Sequence, residues 1–357
     1  MRFIVLASLG VLLLALLLPV LLTPVPAEET TEEVIYTELP PEQPSPAESA
    51  EQAPALFYTS QQDMPLEPLD ENLILQVQIG DQIQAMTMAD YLQGVVAAEM
   101  PASFHLEALK AQAVAARTYT LHRMLVTPTA RHPGAYVCGD YACCKAYHNA
   151  ERLRERWGDE YDLHRQTIAR AVEETDGVIL LYDGLPILAA FHAASSGFTE
   201  ASGAIWNQLP YLQSVRTFES AADMPRYLVE VELTFAEFRQ TAGQGITGVQ
   251  LEEDNASNWI SDLAYTDSGR LANLTIGGVT VTGAEFRRLF GLRSTNIAIT
   301  FESQGVTIVT RGHGHGVGMS QFGANTLAGL GLTYETILDW YYTDIAFARI
   351  DDLFFSQ

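Results

Sequence analysis

Residues 3–22 read FIVLASLGVLLLALLLPVLL, twenty positions without a charge. Such a run constrains the chain more than any other feature, because it has the length an α-helix needs to cross the hydrocarbon core of a bilayer. Arg2 precedes it, and Glu28 and Glu29 follow it. That asymmetry places Met1 in the cytoplasm and the rest of the chain outside. A cleaved signal peptide is the alternative, with Val25-Pro26-Ala27 as a cleavage context. Pro26 is unfavourable beside the cut, and the run exceeds the usual apolar region of about 7–15 residues. The expectation is a single-pass membrane protein with a transmembrane anchor over 1–23, a linker over 24–71 and an extracytoplasmic body over 72–357.

The linker is rich in Pro, Glu, Ser and Gln and contains no Lys or Arg. Such a segment buries too little apolar surface to offset its ordering entropy, so a disordered, self-repelling spacer is expected. It carries part of the acidic excess, 44 Asp and Glu against 20 Lys and Arg, a formal charge of -24. That balance argues against a nucleic-acid binder, which needs a basic face. Only 3 cysteines occur, so the chain is not a disulfide-dense secreted scaffold.

The body reads as mixed α+β, with helices flanking a strand-rich middle. Alternation over 74–79 predicts a strand, and Gly80-Asp81 a turn. Asp90 is a candidate N-cap for a helix over 91–100, and Ser103 for a longer one over 104–124. In the longer helix Leu106, Leu109, Ala113, Val114 and Leu121 form one apolar stripe. A loop over 128–144 and a charged helix over 159–175 follow. Strands are expected over 178–182, 187–192, 227–233, 271–276 and 306–310, with short helices over 235–241 and 284–290. A Gly-rich loop over 312–318 leads into helices over 319–330 and 334–342. No repeat with a period of 20–50 residues is present.

Glu99 is the first candidate for chemistry. Val95, Val96, Ala97, Ala98, Met100 and Pro101 surround it with apolar groups, and it ends its helix, where the negative pole opposes a carboxylate. A carboxyl kept protonated suits the cleavage of a glycosidic bond; an exposed helical Glu is the plain alternative. Lys110 and Arg117 are seven apart on one face of the next helix, either as donors for an anionic, hydroxyl-rich ligand or as a solvated basic edge. His132, Cys138, Cys143 and Cys144 offer one imidazole and three thiols within thirteen residues, enough for tetrahedral zinc. A disulfide with one free thiol, or three reduced thiols, remain open. Four protein ligands would make the metal structural, since a catalytic zinc keeps a position free.

Residues 191–200, FHAASSGFTE, follow a strand and contain His192 and Ser195, with Trp206 and Tyr211 downstream. A strand-end loop is a usual place for function, but no GxSxG elbow accompanies the serine. In the Gly-rich segment, GHGHGVGMSQFGA, the glycines permit close backbone approach. It lacks the GK[ST] ending of a nucleotide loop. His313 and His315 have no third metal ligand near in sequence.

Three segments together carry a resemblance: YLQGVVAAEMPASFHLEALKAQAVAARTYTL, FHAASSGFTE with IWNQLPYLQSV, and GHGHGVGMSQFGANTLAGLGLTYETILDWYY. The body over about 72–345 resembles the SpoIID/LytB family, whose sporulation members are peptidoglycan lytic transglycosylases. They cleave between N-acetylmuramic acid and N-acetylglucosamine in strands stripped of stem peptides. They act in forespore engulfment with the amidase SpoIIP and the membrane protein SpoIIM. The resemblance implies that Glu99 is catalytic and that Lys110, Gln112, Arg117, His192, Ser195 and Gln321 bind substrate. It also implies a structural zinc on His132, Cys138, Cys143 and Cys144. The chain departs from the pattern at Cys143, where clostridial members have His. It departs again at Phe191, Ala193 and Ser196, where members commonly have Tyr, Ser and Gly. Other relatives act as amidase enhancers, so a glycan- and partner-binding role without turnover is the rival expectation.

Overall fold

The computed structural model describes residues 33–34, 68–127, 131–252 and 255–355. The body is α+β and is built around two hydrophobic cores. The chain forms the first core as far as Phe218, leaves to build the second between about 231 and 308, and returns to the first from Val317 onward.

At the centre of the first core lies the helix Leu106–Leu125. Its sequence suggests a single apolar stripe, but Ala108, Leu109, Ala111, Ala113, Val114, Ala115 and Ala116 are buried on every side. A helix surrounded on all faces must be apolar all round. Alanines keep it slim enough for the helices Met88–Glu99, Tyr161–Glu173, Gln321–Gly329 and Tyr334–Tyr341 and the strand Val178–Tyr182 to pack against it. The helix Met88–Glu99 starts earlier than expected. The hairpin strand Gln82–Thr87 runs directly into it, and the Thr87 side chain accepts from the Asp90 backbone N–H, so Thr87 takes the cap and Asp90 sits in the first turn. Likewise His105, not Ser103, precedes the central helix. The strand Ile74–Ile79 pairs antiparallel with Gln82–Thr87 and parallel with Val137–Cys138, which ties the cysteine loop to the first core.

A four-stranded sheet ordered Glu33–Val34, Ile297–Phe301, Gly305–Arg311, Leu228–Thr234 shares the second core with a three-stranded meander of Ile260–Tyr265, Leu271–Ile276 and Val279–Thr282. Two helices, Phe235–Gly245 and Gly283–Leu289, begin with complete capping boxes, Thr234 with Glu237 and Thr282 with Glu285. Phe238, Trp259, Phe290 and Phe301 interlock as stacked and edge-on rings. Residues 33–34, inside the linker expected to be disordered, form the edge strand of this sheet through Val34 opposite Thr300.

The membrane expectation is corrected. No helix among the described residues is long and apolar enough to cross a membrane. The longest, Leu106–Leu125, carries Glu107, Lys110, Arg117 and Arg123. The transmembrane anchor, the membrane localisation and the extracytoplasmic topology drawn from it therefore gain no support, and residues 3–22 lie outside the described residues.

Candidate active site and metal loop

Glu99 is the last residue of its helix and is half-buried. Its Oε1 accepts a hydrogen bond from the Ala146 backbone N–H at 2.9 Å. That donor belongs to the cysteine loop, two residues beyond Cys144, so the loop fixes the carboxyl. Between them in sequence stands Lys145, only 9% exposed. Its ammonium lies 3.4 Å from the centroid of the Phe191 ring and 4.4 Å from that of Tyr119. Burial lowers Lys145 to about 8, while the nearby charge of Glu99 pulls the other way.

The same neighbourhood continues onto the Gly-rich loop. His315 feels the charge of Lys145, and burial is the main force holding it down at about 3. Its Nδ1 accepts from the Val317 backbone N–H at 3.0 Å, which leaves the ring proton on Nε2. The Trp206 ring sits 5.0 Å from His315 and is 45% exposed. Glu99 and His315 thus both lie within reach of the Lys145 charge, and His315 touches an accessible indole.

The glycines of that loop serve approach to another segment. Ala194 and His313 form an antiparallel bridge, and Met319–Ser320 pairs in parallel with Phe191–His192. A Cβ on Gly312 would lie 2.7 Å from the Ala194 carbonyl oxygen, and one on Gly314 would lie 2.8 Å from His192 Cβ. Only glycine lets the two loops meet this closely.

In the metal loop, the ligand atoms of His132, Cys138, Cys143 and Cys144 all lie within 4.8 Å of one another. His132 Nε2 is 3.3 Å from Cys143 Sγ and 3.5 Å from Cys144 Sγ. Zn–S and Zn–N bonds of about 2.3 and 2.0 Å at tetrahedral angles need ligand separations close to these. His132 Nδ1 lies 3.3 Å from the Gln78 side-chain carbonyl, which fixes the tautomer that presents Nε2. The three cysteines are unbridged. Burial pushes the Cys138 thiol up to about 12 and raises that of Cys144, and a divalent cation would offset both effects. The cluster is consistent with a closed, structural zinc site, and Cys143 fills its place in it.

The other expected site residues have protein partners. Arg117 is fully buried, and its Nε and Nη2 grip Asp70 at 2.8 and 2.5 Å while Nη1 donates to the Val178 carbonyl at 3.0 Å. Lys110 bridges Glu107 at 2.7 Å and Glu174 at 2.6 Å. Gln321 donates to Gln112 at 3.3 Å, a buried joint between two helices. His192 Nδ1 faces the Val317 carbonyl at 3.2 Å, so it carries the proton and Nε2 accepts from the Ser195 hydroxyl at 2.6 Å. Ser195 is closed to solvent, and Arg270 Nη2 also donates to it at 3.2 Å. The structure therefore joins Glu99 to the metal loop and places His192 beside His315, at 5.7 Å between rings. Arg117, Lys110, Gln112 and Gln321 instead lock helices together. Sequence reasoning missed Lys145 and Tyr119. The one sequence signal for Lys145 is its position directly after a ligand cysteine.

Comparison with known proteins shows the family. A family model described as stage II sporulation protein, SpoIID, matches residues 78–182, which span Glu99, the central helix and the metal loop. The chain is 36% identical over 270 residues to stage II sporulation protein D of Bacillus subtilis, covering 75% of this chain and 76% of that protein. It is 35% identical over 270 residues to the protein of the same name from Bacillus amyloliquefaciens, with the same coverage. Against the amidase enhancer of Bacillus subtilis it is 30% identical over 298 residues, covering 70% of this chain and 39% of that protein. The chain belongs to the SpoIID/LytB family, which includes both catalytic and non-catalytic members.

Proposed function

We propose that this chain is a peptidoglycan lytic transglycosylase that cleaves the bond between N-acetylmuramic acid and N-acetylglucosamine in peptide-free strands. The observation that carries the reading is the Glu99 carboxyl, held at a helix end by Ala146 and next to Lys145. Glu99 gives its proton to the glycosidic oxygen as the bond to C1 of N-acetylmuramic acid breaks. The 2-acetamido group of the sugar stabilises the cationic C1. Lys145 supplies positive charge beside the carboxylate that results. Glu99 then takes the proton of the C6 hydroxyl as that oxygen attacks C1, leaving a 1,6-anhydro end and a free N-acetylglucosamine end. The nucleophile is internal, so no second carboxylate is needed to activate water. Trp206 offers a face for a sugar ring next to His315. Bound zinc would serve as a cross-link, keeping the loop that carries Ala146 and Lys145 against Glu99.

Such an enzyme needs strands already stripped by an amidase of the SpoIIP type, and a SpoIIM-like membrane protein is a further expected partner in engulfment. Incubating peptide-free glycan with the purified protein alone tests the reading: anhydro ends detected by mass spectrometry support it. The likeness to an amidase enhancer favours a second reading, a binding module without turnover. In that case the protein alone leaves strands intact, and wall is solubilised only when an amidase is added.

A further inference from the structure

With only 20 basic residues against 44 acidic ones, a cluster of cations stands out in this chain. Three arginines, Arg226, Arg287 and Arg293, come to the Gly-rich loop at His313. The Gly312 N–H donates to the carbonyl of Tyr227, next to Arg226, at 2.9 Å, and the Gly314 N–H donates to the Arg293 carbonyl at 3.0 Å. Arg287 is tied to Leu292, next to Arg293. The charge of each opposes protonation of His313. None of the three has an ion-pair partner among the described residues. Arg293 Nη2 donates to His313 Nδ1 at 2.8 Å. An arginine can only donate, so the imidazole is neutral with its proton on Nε2. Arg293 Nε is buried without a partner. Arg287 spends its Nε on the Leu292 carbonyl at 3.2 Å and keeps its two terminal amino groups. Arg226 is exposed, yet its backbone is held in the left-handed region at φ 61°. Like charges held together repel, and an anion among them relieves the repulsion.

The fold brings this cluster near the candidate active site. His313 is two residues from His315, so their backbones are at most about 7 Å apart. His315 in turn meets the Trp206 ring and feels the charge of Lys145. A glycan strand stripped of its peptides carries one lactyl carboxylate on every muramic acid. Lys110 and Arg117, the cations expected to meet those carboxylates, are already paired with Glu107, Glu174 and Asp70.

We infer that Arg226, Arg287, Arg293 and His313 form a carboxylate subsite that grips a lactyl group of the strand beside the scissile bond. This rests on the glycan reading above and names the group that makes the strand recognisable. Arginine pairs with a carboxylate through two parallel N–H donors, so the subsite fixes register as well as charge.

The test is a binding measurement on the full chain with Glu99→Gln, so that turnover does not intrude. Peptide-free strands are compared with the same strands after their carboxyls are reduced to alcohols. Added Arg226→Gln or Arg293→Gln should weaken binding of the carboxylated strand about tenfold each, the size of one lost charged hydrogen bond. Binding of the reduced strand should be unchanged by either. Arg226 is exposed, so its variant folds even where that of Arg293 does not. Equal losses on both strands, no loss on either, or no binding of strands by the Glu99→Gln chain overturns the subsite. Carboxyl-dependent losses from a parent chain that never cleaves would support the subsite and defeat the transglycosylase reading instead.

Discussion

The Ala146 backbone N–H donates to Glu99 Oε1 at 2.9 Å across 47 positions of sequence. This single bond couples the proposed acid to the cysteine loop, because Ala146 follows Cys144 by two residues. A metal ion on the loop would then act on the proposed reaction by position, without touching substrate.

Metal analysis of the purified protein should give about one equivalent of zinc, as a closed four-ligand site requires. Cys144→Ala or exhaustive chelation should lower thermal stability and cut the cleavage rate by roughly a hundredfold, the cost of about 1 Å of misplacement. A metal-free protein with full stability and activity would contradict the coupling.

Arg117 and Asp70 form a buried pair that ties the turn before the first hairpin to the central helix. Removing one partner strands the other charge. Asp70→Ala should cost about 3–5 kcal/mol in denaturant unfolding. A loss under about 1 kcal/mol, the range of exposed pairs, would show that the pair is not desolvated as the structure has it.

Burial holds His313 down at about 4 and His315 at about 3, against about 6.5 in an unfolded chain. Above about pH 6.5 both states leave these rings neutral. As pH falls below that, the unfolded chain takes up protons that the native rings refuse. Stability should fall from about pH 6.5 down to the folded values and then lose this dependence. His313→Gln keeps an acceptor for Arg293 and removes one titrating ring. Its unfolding free energy should fall less steeply between pH 6.5 and 5 than that of the parent, and parallel profiles would refute the assignment.

Gly318 adopts φ 73°, and a Cβ there would overlap the Ala190 carbonyl. Gly318→Ala should destabilise by about 1–3 kcal/mol, since a backbone atom cannot step aside as a side chain can. Gly331 also has a positive φ, 90°, but open space around its Cβ position, and Gly331→Ala should cost less. Equal losses in denaturant titrations would mean that the loop contact is not tight.

The helix-end position of Glu99 was legible because it is a local feature, and the metal loop because its four donors lie within thirteen residues. The central helix was legible as a helix but not as the hub of the core, because alanine looks much the same on a buried and an exposed face. The role of Arg117 was hidden for a different reason. Its partner Asp70 is 47 residues away, and no local pattern marks a buried ion pair. Lys145 was invisible for the same kind of reason: Phe191 and Tyr119 form its cage only after the chain folds. The strand Ile260–Tyr265 escaped because its residues do not alternate cleanly between buried and exposed. Its pairing with Leu271–Ile276 also shifts register.

The decisive comparison is a digest of peptide-free glycan by the parent protein and by Glu99→Gln, each at matched folded concentration, with 1,6-anhydro ends counted by mass spectrometry. A single acid that both gives and takes the proton predicts abundant anhydro ends from the parent and a loss of at least about a hundredfold in the variant. Equal yields from the two proteins would contradict the role given to Glu99.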